Sequence, residues 1–147
     1  MMNLKLNKVL IVFSLLTLPV VFDRAYAQDQ KVSIVQPENN AVVRSPVKIC
    51  MEIEGLILES DKDENGNNRE NKEGYGHHHI LFSSLPVDLE KPIGRKEAIH
   101  MNEGLPCRIV NLIPGKHVIR ALFSYADHVP YNPPITDKIL ITVINDQ

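Results

Sequence analysis

The sequence predicts an all-β domain, and three observations carry that expectation. No segment after the N-terminal apolar run sustains a helical stripe; the apolar residues fall in short runs with a period of two or near it. Those runs are separated by turn-forming clusters, in a chain with 10 prolines and 7 glycines. Tryptophan is absent and aromatic residues make up 5%, so a core must be built from Val, Ile and Leu, which favour strands.

The N-terminus reads as an export signal. Lys5 and Lys8 precede an apolar and small-residue stretch from Val9 to Val21, and Ala25-Tyr26-Ala27 offers a small-x-small cleavage pattern. The apolar run is about 13 residues, short of the roughly 20 that a permanent spanning helix needs. Residues 1–27 are therefore expected to be a signal peptide cut after Ala27, with residues 28–147 forming a single domain that is periplasmic or secreted and does not insert in the membrane. The leader takes Lys5, Lys8, Arg24 and Asp23 with it, so the 16 basic and 18 acidic residues of the whole chain fall to 13 and 17, a net charge of −4. A mildly acidic chain without basic clusters argues against nucleic acid and anionic membrane as partners.

The segment from Val32 to Pro37 reads as a first strand, ended by Glu38-Asn39-Asn40. Val42 to Ile53 reads as a second, in which Val47, Ile49, Met51 and Ile53 alternate with Lys48, Cys50, Glu52 and Glu54. Glu59 to Gly74 holds no apolar residue and is expected to be a solvated loop. Gly76 to Phe82 fits a strand. Arg108 to Leu112 and His117 to Tyr125 are expected to form a hairpin joined at Ile113-Pro114-Gly115-Lys116, because Pro and Gly at the two central positions suit a type II turn. Val110 and Leu112 should then face the core together with Ile119, Ala121 and Phe123, while Arg120 and Ser124 face solvent. Ile139 to Ile144 supplies a last strand. Short strands at this spacing predict a small immunoglobulin-like antiparallel β-sandwich.

All six histidines lie after the leader: His77, His78, His79, His100, His117 and His128. On a strand, His77 and His79 share a face and His78 points the other way. Two imidazoles so placed can hold one metal ion, with further ligands from His100 with Met101, or from Asp127 with His128. The candidate metal ligands are His77, His79, His100 and His128. Imidazole suits copper and zinc, and a thioether from Met101 would favour cuprous copper. Against this stands a structural role, in which neutral histidines cap a strand or hydrogen-bond a neighbouring loop. His117, directly after the Pro-Gly turn, reads as structural.

Asp61, Asp63, Asn65 and Gly66 reproduce the opening of a calcium loop, but Lys72 stands where a bidentate Glu is needed and Asn68 where an apolar anchor belongs. A solvated acidic loop is the better reading. Cys50 and Cys107, the only cysteines, both point away from the apolar strand faces; they either pair in an oxidising compartment or remain two buried thiols. No nucleophile elbow, phosphate loop, dinucleotide fingerprint or His-Glu-x-x-His helix occurs, so the chain is not expected to be an enzyme.

The motifs Gly76-His77-His78-His79-Ile80-Leu81, then His100, then Pro114-Gly115-Lys116-His117, then His128-Val129-Pro130-Tyr131-Asn132-Pro133-Pro134 resemble the exported bacterial domain-of-unknown-function family numbered four-three-nine-nine. The resemblance runs from about Tyr75 to the C-terminus and more loosely over Val32 to Gly55. It implies export and a compact β domain, with no settled activity, and shared polar positions at His77, His78, His79, His100, His117 and His128. Ser83 stands where the family pattern has an acid, Tyr125 where it has Asp and Tyr131 where it has a second His. Two functions from different classes follow: an extracytoplasmic copper- or zinc-binding protein, or a non-catalytic immunoglobulin-like module whose histidines and Pro133-Pro134 segment shape a surface for an extracytoplasmic protein or glycan.

Overall fold

The computed structural model of the protein describes residues 29–101 and 104–145, and the stretch read as a signal peptide lies outside them. Among the described residues nine strands follow one another: β1 (Lys31–Gln36), β2 (Val42–Arg44), β3 (Val47–Glu54), β4 (Ile57–Leu58), β5 (Tyr75–Leu81), β6 (Ala98–His100), β7 (Cys107–Val110), β8 (Gly115–Ser124) and β9 (Thr136–Ile144). One sheet has the order β1-β3-β7; the other has the order β2-β9-β8-β5-β4, with β6 added on β5. No α-helix occurs among the described residues, so the all-β sandwich expected from the sequence is the fold. The pairing is antiparallel except at two short edge additions, β2 on β9 and β4 on β5, which run parallel.

The core lies between the sheets. Val32 and Ile34 of β1 and Val47, Ile49 and Met51 of β3 form one buried cluster with Ile80, Ile119, Ala121, Ile139, Ile141 and Val143 of the large sheet. Each fully buried aliphatic side chain contributes roughly 1.5–3 kcal/mol relative to exposure. The alternation read in β3 is the one observed: Lys48 and Glu52 are exposed, and Ile53 packs against the core edge. Cys50 lies on the outer face of β3 directly opposite Cys107 of β7, and the two form a disulfide with Cα atoms 4.0 Å apart.

Two sequence expectations about connectivity are corrected. Val42 to Ile53 is not one strand: it breaks at Ser45-Pro46, so that β2 belongs to the large sheet and β3 to the small one. Pro46 has no N–H for a ladder, and the break lets the chain cross from one sheet to the other. Likewise β7 and β8 are not a hairpin. β7 pairs with β3, β8 pairs with β5 and β9, and the Pro114-Gly115 segment is an arch between sheets. The inward assignments survive because both arms still look inward: Val110 and Leu112 pack on the edge of the cluster that holds Ile119 and Ala121, so these meet across the sandwich rather than across a ladder, and Phe123 is fully buried.

The outer face of the large sheet is also covered, and this positions the site. β5 is buried at every position from Gly76 to Leu81. Leu81 and Leu122 pack under Ile93 and Val87 from the connection that follows β5 and under Ala98 at the start of β6. The guanidinium of Arg120 ties that connection down by donating to the carbonyls of Leu85 (2.9 Å) and Ser84 (3.2 Å). Ser124, expected in solvent, is fully buried on this face. It lies opposite His77 in the ladder and bridges to Pro130, so the segment after β8 folds back over it.

Candidate metal centre

His77 and His79 project from the outer face of β5, two residues apart as the strand period requires. His100 of β6 is the direct cross-strand partner of His79 and therefore shares that face. His128 reaches the same spot from the turn after β8. Its backbone is left-handed (φ 70°), a conformation uncommon for a residue with a side chain. The turn is held by the His128 N–H on the Tyr125 carbonyl (3.0 Å), the Tyr125 N–H on the Val129 carbonyl (3.0 Å) and the Ile93 N–H on the His128 carbonyl (3.0 Å). A strained residue fixed on three sides is the kind of feature that accumulates at functional sites.

The four rings form a closed circuit. Successive centroids are 4.8 Å (His77–His79), 4.5 Å (His79–His100), 4.7 Å (His100–His128) and 4.6 Å (His128–His77) apart, while the two diagonals are 6.4 Å (His77–His100) and 5.7 Å (His79–His128). One nitrogen from each ring lies within 4.8 Å of one nitrogen from every other. Both ring nitrogens of His77 and His79, and Nε2 of His100, are buried without a hydrogen-bond partner. An unsatisfied buried polar atom costs on the order of 1–3 kcal/mol, so a set of them gathered in one place calls for an explanation.

Burial, reinforced by the His128 and His100 imidazoles, depresses the pKa of His77 to about 4. Burial followed by the His77 and His100 rings depresses that of His79 to about 2. His100 is also lowered, first by burial and then by His128 and Arg95. All three rings are thus held in the neutral form, the one that offers a nitrogen lone pair to a metal.

The structure therefore gathers the four histidines singled out from the sequence and leaves the other candidates elsewhere. Met101 follows His100 on the opposite face and is buried in the inter-sheet core, which removes it as a thioether ligand. Asp127 accepts hydrogen bonds from Asn71 Nδ2 (2.8 Å) and the Val129 N–H (3.0 Å). His78 faces the inner side, where Nε2 meets the Leu105 carbonyl at 3.2 Å. His117 hydrogen-bonds the Ile113 carbonyl at 2.7 Å, a local structural role. In the polar loop, Asp63 accepts from the N–H groups of Asn65 (2.9 Å) and Asn67 (2.8 Å), and these bonds, Asn67 foremost, lower its pKa.

Gly76, which sequence reading passed over, sets the geometry of the triplet. Its φ is +150°, and a Cβ there would collide with the Ser124 carbonyl, so only glycine lets β5 approach β8 this closely just before His77. Its place immediately before three histidines was the available signal. Nothing in local pattern marked Arg95 and Arg108, and Asp61 was marked only as part of a calcium-loop-like opening; all three line the opening beside His100 and His128.

No match was found among curated proteins. Among solved structures, the endo-beta-1,4-mannanase from Thermotoga petrophila is similar at 11% identity and a TM-score of 0.42 over 80% of this chain. The chain spans about 20% of that enzyme's length. A domain of unknown function matches residues 64–144, a span that contains all four histidines of the cluster. The chain belongs to that family, Domain of unknown function (DUF4399).

Proposed function

We propose that the protein is an exported, non-catalytic metal-binding domain that holds one copper(II) ion with His77, His79, His100 and His128. The observation that carries this reading is the convergence of four imidazoles, two buried and two half-buried, in which both nitrogens of His77 and His79 and Nε2 of His100 lack a hydrogen-bond partner. Copper is preferred to zinc on the shape of the circuit. Four equivalent rings around a tetrahedral ion would be equally far apart, whereas a square gives four short sides and two diagonals about 1.4 times longer. Here both diagonals exceed every side, by factors between about 1.2 and 1.4, a flattened arrangement that suits copper(II) better than zinc. Removal of Met101 from the site also withdraws the argument for cuprous copper. The Cys50–Cys107 disulfide and the N-terminal leader pattern support an oxidising, extracytoplasmic setting.

The test is titration of purified protein with copper(II) and zinc(II). One equivalent of copper bound at micromolar protein, with a tetragonal nitrogen-ligand electron paramagnetic resonance spectrum, is the expected result. Absence of stoichiometric binding by either metal refutes the reading, and tighter binding of zinc refutes the choice of copper.

A further inference from the structure

Four imidazole ligands bring no negative charge and leave that of a bound divalent ion uncompensated. Among the described residues the gathered donors include no carboxylate or thiolate. The half-buried side of the cluster opens into a cavity of about 400 Å³ walled by His100, His128, Asp61, Arg95 and Arg108. This is room for several non-hydrogen atoms beyond a single water, whose share of liquid volume is about 30 Å³.

The charge on these walls is the reverse of what a simple cation funnel needs. Arg95 comes from the connection after β5, and Arg108 stands on β7 opposite Ile49. Neither guanidinium has a hydrogen bond or ion pair among the described residues. Among the described residues Asp61 is the one carboxylate on the wall, and it accepts a hydrogen bond from Ser60 Oγ at 3.2 Å. Among the described residues of the wall, two cations against one anion repel a bare divalent ion and attract a negative one. Guanidinium in particular offers a planar fork that matches a carboxylate.

We propose that this cavity binds a small carboxylate, which places one oxygen on the cluster-bound metal and pairs with Arg95 and Arg108 through the remainder. The inference rests on the reading of the four histidines as a metal centre. A flattened ring of ligands leaves positions above or below its plane without an imidazole, so an added oxygen ligand has somewhere to bind. The anion both neutralises the ion and occupies the opening. Arg95 and Arg108 act as its positioning residues.

The experiment uses the purified protein loaded with one equivalent of copper(II) and titrated with sodium acetate against sodium perchlorate at constant ionic strength and pH 7.5. The expected result is a saturable change in the copper absorption and paramagnetic resonance spectra. Acetate should bind about tenfold more weakly to the Arg95→Ala/Arg108→Ala variant, with recovery in Arg95→Lys/Arg108→Lys and copper stoichiometry unchanged in both. No saturable change in the wild-type protein, or equal acetate affinity in the alanine variant, overturns the proposal. If the wild-type protein takes up no copper, the metal reading fails on its own. Acetate is then titrated into the metal-free protein by nuclear magnetic resonance, where saturable binding lost in the alanine variant upholds the carboxylate site and no binding removes it.

Discussion

His79 and His100 stand directly opposite one another in the β5–β6 ladder, with ring centroids 4.5 Å apart. β6 is only three residues long and lies on the sheet margin. A metal held by both rings adds a crosslink to a strand that otherwise has little to keep it paired. Copper binding should therefore slow amide hydrogen exchange at Ile99 and Met101 by at least about tenfold while leaving Ile119 and Ile141 in the sandwich core nearly unchanged. Equal protection of both regions would show that the ion acts on global stability and not on this strand.

The depressed pKa values of His77 and His79 predict an acid-sensitive metal-free protein. Above pH 6.5, the ordinary imidazole value, these rings are neutral in both native and unfolded chains. Below it the unfolded chain takes up protons that the native His77 refuses until about pH 4 and His79 until lower still. Stability present above pH 6.5 is thus lost as pH falls from 6.5 toward 4, at about 1.4 kcal/mol per pH unit per group. Urea midpoints at pH 7.5 and pH 5 check this, and His77→Gln should flatten the difference. A midpoint unchanged between those pH values contradicts it.

His128→Gly separates the strain of the turn from its chemistry. Glycine accepts a φ of 70° without cost, so the metal-free protein should be as stable as the wild type or more stable by up to about 1 kcal/mol. Copper affinity should fall by at least about a hundredfold, since one of four ligands is gone. Calorimetric melting and copper titration of the same preparation read the two effects. A large loss of metal-free stability would mean that the His128 ring itself supports the fold.

Gly76→Ala attacks the site through the backbone. The new methyl group would meet the Ser124 carbonyl, so β5 and β8 must separate where His77 is set. A cost of roughly 2–4 kcal/mol is expected in denaturant melts, together with weaker copper binding in whatever fraction folds. Gly66→Ala provides the comparison: φ is positive there too, at +81°, but a Cβ meets nothing within 4 Å, so about 1 kcal/mol of backbone strain and no change in copper binding are expected.

What could be read in advance follows from the range of each interaction. The shared face of His77 and His79 is a property of one strand, and the alternation in β3 likewise needs no partner. The same rule, applied to His100 and Met101, would have sent them to opposite sides; adjacency was mistaken for proximity. Pro114-Gly115 announces a change of direction but not whether the chain returns to its own sheet or crosses to the other, because that depends on β3 competing with β8 for β7. The burial of Ser124 and the arrival of His128 depend on the segment after β8 folding back, a contact that local pattern does not encode.

The location of the histidine cluster on the outer side of the large sheet has a kinetic consequence. Ile49, Ile80, Ile119 and Ile141 close the sandwich without help from the imidazoles, so the scaffold does not need an ion to fold, unlike small domains that exist only when metallated. Exchange with an external chelator too bulky to enter the cavity beside His100 and His128 then requires displacement of the Ile93 and His128 segments, a local opening with its own rate, while the β-sandwich stays shut. Release should accordingly be first order, independent of chelator concentration once that is high, and far faster than global unfolding.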